Sequence, residues 1–397
     1  MTAYEDVRAE LSVPERYAER PPVDREYVED AIEFVLERVD EKLESGFRDA
    51  FPPADSDDYV YEPTDVSGWT ASFWTGQCWL AYEYTGEETY RDAAETQLEA
   101  FEKRVLEGDV KTHDLGFLYS LSAVAAYRVT GDRDARELAL TAADHLAERF
   151  WPAPGMIQAW ADPAEPNEWS WAYGRMIVDT MMNLPLLFWA AAETDHRRYA
   201  DIAATHARTA GAHLVRSDAS TYHTFQCDVE TGEPLVGETF QGHADESTWA
   251  RGQAWAMYGY PLCTRYTGDG SFADLAAELS TYYLARVDKD EVPIWDFDAP
   301  DDARDSSAAA IAACGLDELA VQLPMGDPRA PLFRNAALRA LESLTESYTT
   351  EGMDSNGILK EGTYHHKEGN FDECTAWGDY FYFEALVRAH RHWEPYW

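Results

Sequence analysis

Apolar residues recur along most of the chain at the three- and four-residue spacing of amphipathic helices. Tyr84-Thr85-Gly86-Glu87 is the first of several short phrases that interrupt this pattern. Related phrases begin at Val129, Glu193, Tyr266 and, more loosely, Met325. A glycine there suits the end of one helix, and the acid after it suits the first turn of the next. Each phrase therefore predicts a tight turn between two helices.

The pattern predicts two alternating sets of six helices. The first set is rich in aromatic residues and alanine, as expected of inner helices: residues 71–84, 114–130, 175–194, 247–267, 306–322 and 376–392. The second set is charged on one face, as expected of outer helices: residues 24–44, 87–105, 132–150, 196–213, 271–287 and 329–348. Six such hairpins closed into a ring predict an all-α (α/α)6 toroid. An open solenoid is the alternative, but it would favour repeats of constant length, and these vary.

The connections between the predicted helices differ in length. Turns from inner to outer helices are short, whereas most connections from outer to inner helices are long: about 45–70, 106–113 (the shortest), 151–174, 214–246, 288–305 and 349–375. Such connections all lie on one face of a ring, and long ordered loops usually carry function. We therefore expect an active site at the N-terminal mouth of the inner helices. The helical pattern occupies residues 24–397, which predicts one domain after an N-terminal extension at 1–23.

The chain is strongly acidic, with 74 Asp and Glu against 32 Lys and Arg and a net charge of −42. Only six of the basic residues are lysines. Such acid-rich, lysine-poor surfaces are typical of proteins from salt-saturated cytoplasm, because the Debye length in molar salt is only about 3 Å. The charge excludes a nucleic-acid partner, which needs a basic face.

The cysteines, the N-terminus and the one long apolar stretch bear on where the protein is located. The five cysteines are scattered without a CxxC pair, which favours a reducing compartment over a disulfide framework or zinc site. The N-terminus is acidic and lacks the apolar core of a signal peptide. The apolar stretch around Asp179 is too short to span a bilayer and is interrupted by Asn183 and Pro185. We predict a cytoplasmic protein, in a high-salt cytoplasm, that contacts no membrane.

Asp179 is the only charged residue between Met176 and Trp189. A carboxylate in such apolar surroundings loses hydration, so its pKa should rise unless a partner compensates. One interpretation is a structural acid that bonds a backbone amide or an arginine. The other is a proton donor and acceptor, which we favour because an apolar residue would serve stability better.

Other polar and aromatic residues cluster where the predicted inner helices begin. Trp69 and Phe73 suit either a stacking platform for a sugar ring or core packing. Asp114 precedes an apolar run, where it is either a helix N-cap or a carboxylate that points into the mouth opposite Asp179. Trp160 lies in the loop that leads to Asp179, as does Trp169 further along that loop.

Arg251 shares one face of the predicted helix 247–267 with Ser247 and Trp255, at a spacing of four residues. An arginine on an aromatic helix needs an anionic partner, which is either a fixed carboxylate such as Asp245 or a substrate carboxylate.

Histidines and glutamine add hydrogen-bonding groups. His223 and Gln241 suit bonds to sugar hydroxyls. We interpret His365 and His366 as solvated loop residues, because the sequence has no HExxH or clustered Cys/His pattern; no metal or cofactor is therefore expected. Carboxylates, aromatic residues and hydrogen-bonding side chains that gather at one predicted mouth indicate a site for carbohydrate chemistry.

Five sequence blocks in this order resemble the unsaturated glucuronyl hydrolases of glycoside hydrolase family 88. The blocks are Trp69–Gly76, His113–Tyr119, Asp179–Trp189, Ser220–His223 and Gln241–Trp255. The resemblance covers roughly residues 25–395 and implies the (α/α)6 fold, with 24–397 as a single catalytic domain. It also implies a substrate, namely oligosaccharides from polysaccharide lyases that end in a 4,5-unsaturated uronic acid.

The resemblance further implies the roles of individual residues. Asp179 matches the principal acid/base of the family, and Asp114 matches its second essential carboxylate. The following residues match substrate-pocket positions: Trp69, Phe73, His113, Trp160, His223, Gln241, Trp249, Arg251 and Trp255. The implied reaction is hydration of the C4=C5 vinyl ether, with protonation at C4 and attack of water at C5, and it needs no metal.

Three alternatives differ from this hypothesis. An unsaturated rhamnogalacturonyl hydrolase shares fold and chemistry but accepts a different second sugar. A sugar epimerase on the same toroid would depend on paired inner-helix histidines, which are few here. A non-catalytic oligosaccharide-binding protein would not need an acid in the surroundings of Asp179.

Overall fold

The computed structural model describes residues 12–65, 68–160 and 170–397. These ranges contain twelve helical segments in chain order, with two of them continued through a π turn. The helices are α1 Arg25–Glu44, α2 Ala71–Thr85, α3 Glu88–Glu107, α4 Leu115–Tyr119 continued through Ser120–Val124 and Ala125–Thr130, α5 Arg133–Glu148, α6 Leu184–Thr194, α7 Arg197–His213, α8 Ala250–Thr267, α9 Gly270–Arg286, α10 Ser306–Gln322, α11 Arg329–Ser343 continued through Leu344–Tyr348, and α12 Ala376–His390.

The even-numbered helices form the inner ring and the odd-numbered helices form the outer ring. Every residue from Ala71 to Ala81 of α2 is buried, whereas α5 buries one alanine-rich face and exposes the other. The ring closes because the last inner helix packs on the first, with the Tyr380 ring of α12 directly against Gly76 of α2. The predicted (α/α)6 toroid is therefore confirmed, and the open solenoid is wrong.

The predicted turn phrases end inner helices as expected. Gly86, Gly131 and Gly268 follow α2, α4 and α8 with φ between 70° and 77°, the left-handed conformation that glycine adopts without strain. Asp195 adopts the same conformation after α6, with φ of 54°. Inner and outer helices of a hairpin are thus joined by only a few residues, which leaves the long connections at the other end of the ring.

Within their described parts, the long connections carry three small antiparallel sheets rather than only loops. Their strands are β1 Phe150–Trp151 with β2 Met156–Ile157, β3 Arg175–Ile177 with β4 Thr224–Cys227 and β5 Pro234–Glu238, and β6 Gly362–His365 with β7 Asn370–Glu373. These sheets stiffen the face of the ring that holds the N-terminal ends of the inner helices.

Two predicted inner helices begin later than expected. The segment 175–194 starts as strand β3, continues as a 3-10 turn over Val178–Met182, and becomes helical only from Leu184. Pairing of β3 with β4 holds this part of the backbone extended. Helix α8 starts at Ala250 rather than at residue 247, because Trp249 is extended and bridges to Asp296.

The described part of the predicted extension, residues 12–23, packs on the ring. Tyr17 is fully buried and its hydroxyl donates to Glu291. Arg16 pairs with the same carboxylate at 3.1 Å. The domain boundary at residue 24 stays a prediction. Among the described residues, no helix combines the length and apolar character that crossing a membrane would require.

Candidate active site

The N-terminal ends of the inner helices border a cavity of about 400 Å³. Its wall is formed by Gly68, Trp69, Arg104, Asp109, Lys111, Thr112, His113, Asp114, Trp160, Ile177, Asp179, Phe240, Gln241, Arg251, Tyr364 and His365. Asp114 directly precedes α4, Asp179 lies in the turn before α6, and Arg251 lies in the first turn of α8. The cavity therefore lies at the mouth that the connection lengths predict.

Asp179 is the second residue of its 3-10 turn and is only 9% exposed. Burial raises the pKa of its carboxyl group to about 7, with a further rise from the charge of Asp114 and an opposing effect of Arg251. The Oδ1 atom is buried and accepts no hydrogen bond from any described residue. This oxygen is not tied to an arginine, so the geometry favours a proton carrier over a structural acid.

Asp114 occupies the N-cap position of α4, but its side chain bonds no N–H group of the helix. Its Oδ2 accepts a hydrogen bond from Thr112 Oγ1 at 2.8 Å, and its Oδ1 lies 3.3 Å from His113 Nε2. His113 Nδ1 in turn accepts the backbone N–H of Trp160 at 3.3 Å. Because burial lowers the pKa of His113 and its Nδ1 accepts a hydrogen bond, the ring is neutral and carries its proton on Nε2, the nitrogen closer to Asp114. The N-cap interpretation of Asp114 is wrong.

Asn183 joins the two segments that carry the carboxylates. Its Oδ1 accepts the N–H of Phe117 in α4 at 2.7 Å, and its Nδ2 donates to the backbone oxygen of Asp179 at 3.2 Å. Gly116 makes this contact possible, because a Cβ there would lie 2.2 Å from the Cα of Asn183. The start of α4 and the turn of Asp179 are thus in direct backbone contact.

Arg251 is 1% exposed and has a fixed carboxylate partner. That partner is Asp305, at 3.1 Å from Nη1; Asp245, the expected partner, accepts instead the N–H of Thr239. Backbone oxygens of Thr363 and Tyr364 also accept from Arg251. Burial lowers the pKa of Arg251, while the charge of Asp305 opposes that change.

The planar faces of the Arg251 guanidinium lie against two indole rings. Its central carbon is 4.4 Å from the ring centre of Trp249 and 4.8 Å from that of Trp377. The Nε–H of Arg251 is buried and has no partner in the described part of the chain. Ser247 does not share this helix face, because it precedes α8 and bonds Asp296.

The structure separates the predicted pocket residues into two groups. Trp69, His113, Trp160, Gln241 and Arg251 line the cavity. The remaining four, which are buried outside the lining, are Phe73, His223, Trp249 and Trp255.

Phe73 and Trp255 pack in the core. Both rings contact Phe381 of α12, at centroid distances of 5.7 Å and 5.4 Å respectively. For Phe73 this position favours the core-packing interpretation over sugar stacking, whereas its neighbour Trp69 reaches the cavity.

His223 lies behind the wall. Its Nδ1 accepts the N–H groups of Phe240 and Gln241, both at 3.1 Å, and its ring lies 4.4 Å from that of Trp249. Burial lowers the pKa of His223 well below its ordinary value, so the ring is neutral and orients the Gln241 backbone. Its contact with the cavity is therefore indirect.

Several wall residues carried no usable sequence signal. Tyr364 and His365 reach the cavity from β6, and His365 is only 8% exposed, so its interpretation as a solvated loop residue is wrong. Phe240 stacks near Trp171, with ring centres 5.4 Å apart, and forms the rim beside Trp160. Trp169 lies outside the described residues, as does the rest of the segment 161–169. Within the described ranges, no group of three His, Cys, Asp or Glu side chains is placed to hold a metal ion.

A cavity at the mouth of a helical toroid, with Asp114 and Asp179 among aromatic residues, suits acid–base catalysis on a bound ligand. The model of Glycosyl Hydrolase Family 88 matches residues 46–391 of this chain. The chain therefore belongs to glycoside hydrolase family 88.

Similar proteins cover nearly the whole chain. It is 40% identical over 393 residues to an unsaturated chondroitin disaccharide hydrolase of Streptococcus pneumoniae, which covers 98% of each chain. It is 43% identical over 357 residues to an unsaturated glucuronyl hydrolase of a Bacillus species, which covers 88% of this chain and 94% of the relative. The crystal structure of unsaturated glucuronyl hydrolase from Streptococcus agalactiae matches with a TM-score of 0.92 at 37% identity, covering 97% and 98% of the two chains. These matches support a hydrolase and disfavour the epimerase and the non-catalytic binding protein.

Proposed function

We propose that this enzyme removes the 4,5-unsaturated uronic acid from the non-reducing end of oligosaccharides released by polysaccharide lyases. The observation that carries the proposal is Asp179, a buried acid in the cavity wall whose Oδ1 is bonded by no described residue and whose pKa is raised to about 7 by burial. A mutant unsaturated glucuronyl hydrolase from Streptococcus agalactiae, with a TM-score of 0.84 at 35% identity, is complexed with dGlcA-GalNAc6S. Together with the relative named a chondroitin disaccharide hydrolase, this complex supports a disaccharide derived from a glycosaminoglycan as substrate.

Asp179 performs both proton transfers of the proposed reaction. In its protonated form it donates to C4 of the vinyl ether, and positive charge develops at C5 beside the ring oxygen. The resulting carboxylate then takes a proton from the water that attacks C5. The hemiketal so formed opens and releases the remaining sugar. This cycle needs an acid that is neutral on arrival and basic afterwards, which suits a pKa close to 7.

Asp114 acts as an anion rather than as a proton donor. Its Oδ2 accepts from Thr112 Oγ1, and its Oδ1 lies 3.3 Å from His113 Nε2. Its charge stabilises the cationic centre at C5 and contributes to the raised pKa of Asp179. The two acids therefore have different tasks because they have different surroundings.

Arg251 and the aromatic walls bind the sugar. Arg251 borders the cavity and is the cation that we assign to the uronate carboxylate. Trp69 and Trp160 border the cavity and offer flat faces to the sugar rings.

The substitution Asp179→Asn tests the proposal. An amide cannot donate to C4, so we expect turnover of an unsaturated chondroitin disaccharide to fall by at least about 10²-fold. Loss of the ultraviolet absorbance of the C4=C5 bond measures the rate, and circular dichroism checks the fold. Asp245→Asn is the matched control, since Asp245 lies near the mouth but outside the cavity lining. Substantial turnover by folded Asp179→Asn would contradict the assignment.

A panel of substrates tests the second sugar. Unsaturated disaccharides from glycosaminoglycans and from pectin are assayed side by side in high salt. Preference for the pectin product would favour the unsaturated rhamnogalacturonyl hydrolase.

A further inference from the structure

Asp305 lies outside the cavity lining but holds two parts of the cavity wall together. It is fully buried at the N-cap of α10. Its Oδ2 accepts from Arg251 Nη1 at 3.1 Å, and its Oδ1 accepts from Ser307 Oγ at 2.5 Å. The same Oδ1 lies 3.4 Å from the N–H groups of Ala308 and Thr363. One side chain thus connects α8, α10 and β6.

The contacts of Asp305 help to fix the orientation of the Arg251 side chain. Nη1 is engaged by Asp305 and by the backbone oxygen of Thr363, and Nη2 donates to the backbone oxygen of Tyr364 at 2.8 Å. The ring centres of Trp249 and Trp377 lie 4.4 Å and 4.8 Å from the central carbon of the guanidinium. Nε–H is left without a partner among the described residues. The side chain therefore has one orientation, with the Nη edge anchored.

Asp305 also anchors strand β6. Thr363 offers its N–H to Asp305 and donates from Oγ1 to the backbone oxygen of Arg304 at 2.7 Å. The next two residues, Tyr364 and His365, line the cavity. A change at Asp305 would therefore be transmitted to Arg251 and to the wall beside it.

We propose that Asp305 is a positioning residue of the active site, which fixes Arg251 and β6 and offsets the charge of Arg251 that acts on Asp179. This inference rests on the proposed function, because it assigns Asp179 the proton transfer. A buried guanidinium that bonds only backbone oxygens would keep an uncompensated charge, and a buried carboxylate at 3.1 Å compensates it.

The electrostatic consequence has a definite sign. Asp179 faces the anion Asp114 from the start of α4 and the cation Arg251 from α8. The neighbouring His113 and His223 are neutral because burial lowers their pKa values. Removal of the negative charge of Asp305 leaves Arg251 uncompensated, which favours the charged form of Asp179 and lowers its pKa. In that variant Asp179 would lose its proton at a lower pH than in the wild-type enzyme.

The experiment compares Asp305→Asn with Asp305→Glu. For Asp305→Asn we expect the alkaline limb of the kcat profile to move down by about one pH unit and KM to rise by about tenfold. Asp305→Glu keeps the charge but shifts the oxygens, so kcat/KM should fall while the alkaline limb stays at its wild-type position. The proposal would be overturned if the alkaline limb of the kcat profile moved in Asp305→Glu. It would also be overturned if that limb kept its wild-type position in a folded Asp305→Asn variant.

Glu318→Gln is the matched control. Glu318 is a fully buried carboxylate on the same helix α10, and Arg265 bonds both of its oxygens at 2.8 Å and 3.0 Å. Its substitution should lower stability without moving the alkaline limb, so an equal movement in this variant would refute a specific role for Asp305.

A second measurement separates this inference from the proposed function. The pKa of Asp179 is obtained without substrate from the pH dependence of the free energy of unfolding, by comparing each protein with its Asp179→Asn counterpart. If the wild-type enzyme processes no unsaturated uronide, the proposed function fails. A lower pKa of Asp179 in Asp305→Asn would still support the positioning role, and an unchanged pKa would contradict it.

Discussion

Asp179 keeps a carboxyl group in surroundings that oppose its ionisation. Burial is the largest cause, and the charge of Asp114 adds to it, while Arg251 acts in the opposite direction. Burial alone, without the like charge, would produce a smaller shift, and a direct bond to Arg251 would cancel it. The pKa of Asp179 is therefore set mainly by burial, and one anion and one indirectly placed cation adjust it in opposite directions.

The charge of Asp114 gives a prediction for the pH profile. We expect kcat of the wild-type enzyme to be constant below pH 7 and to decline above it, because Asp179 must be protonated to donate and its pKa is about 7. Asp114→Asn removes a negative neighbour, so the pKa of Asp179 falls and the alkaline limb of the remaining activity moves to lower pH. Rates of absorbance loss between pH 5 and pH 9 measure both profiles. A limb that moves upward in Asp114→Asn would show that the two acids are not coupled in this way.

Single residues differ in how well the sequence identifies them. Asp179 could be recognised because it is the lone charge in an apolar stretch, which is a local signal. The partner of Arg251 could not, because Asp305 is 54 positions away and meets it only in the folded ring. Phe73 and Trp69 are four residues apart in one aromatic segment, and only packing shows that one faces the core and the other the cavity.

At the level of elements, the inner helices are set by local pattern and their starting points by distant pairing. The alternation of apolar and charged helices is readable because burial repeats every three to four residues. Strand β3 cannot be predicted in this way, because its extended backbone depends on pairing with β4, which is distant in the sequence. The side chains of Arg175 in β3 and Thr224 in β4, for example, are hydrogen-bonded although they are 49 positions apart. This pairing is what brings Asp179 into a turn instead of a regular helix.

Gly116 tests the contact between α4 and the turn of Asp179. Alanine there would place a Cβ 2.2 Å from the Cα of Asn183, so the two segments must separate. We expect Gly116→Ala to lower the free energy of unfolding by about 1–3 kcal/mol and to reduce kcat, because the two carboxylates move apart. Chemical denaturation and the absorbance assay measure the two effects.

Gly270→Ala is the control for that substitution. Nothing lies within 4 Å of a Cβ at Gly270, so alanine at the start of α9 should leave turnover unchanged. Wild-type kcat in Gly116→Ala would mean that the separation of the carboxylates is not set at this contact.

At the scale of the whole molecule, an anionic substrate approaches a protein of net charge −42. The mouth departs from this overall charge. Its wall carries the cations Arg104, Lys111 and Arg251 beside the acids Asp109, Asp114 and Asp179, so the local charge is much closer to balance. Attraction of an anionic group to Arg251 inside the cavity therefore opposes long-range repulsion from the rest of the surface.

This opposition predicts the response to salt. Between about 0.1 M and 1 M salt the Debye length shrinks from about 10 Å to about 3 Å, which screens the distant acids more than the contacts inside the cavity. We expect kcat/KM to rise several-fold over this range, mainly through a lower KM, and thermal unfolding to shift to higher temperature. Initial rates in KCl measure the effect, with sucrose as an uncharged control. A kcat/KM that declines with salt while the enzyme stays folded would contradict the balance described here.

The scarcity of lysine has a practical consequence for chemical footprinting. Of the six amino groups on lysine side chains, that of Lys42 is fully buried against Asp379, and Lys111 is the one that borders the cavity. An acylating reagent followed by mass spectrometry would thus label few sites, with Lys103, Lys289, Lys360 and Lys367 as references outside the cavity lining. Reduced acylation of the peptide that contains Lys111 would then report directly that a ligand occupies the cavity, without any turnover.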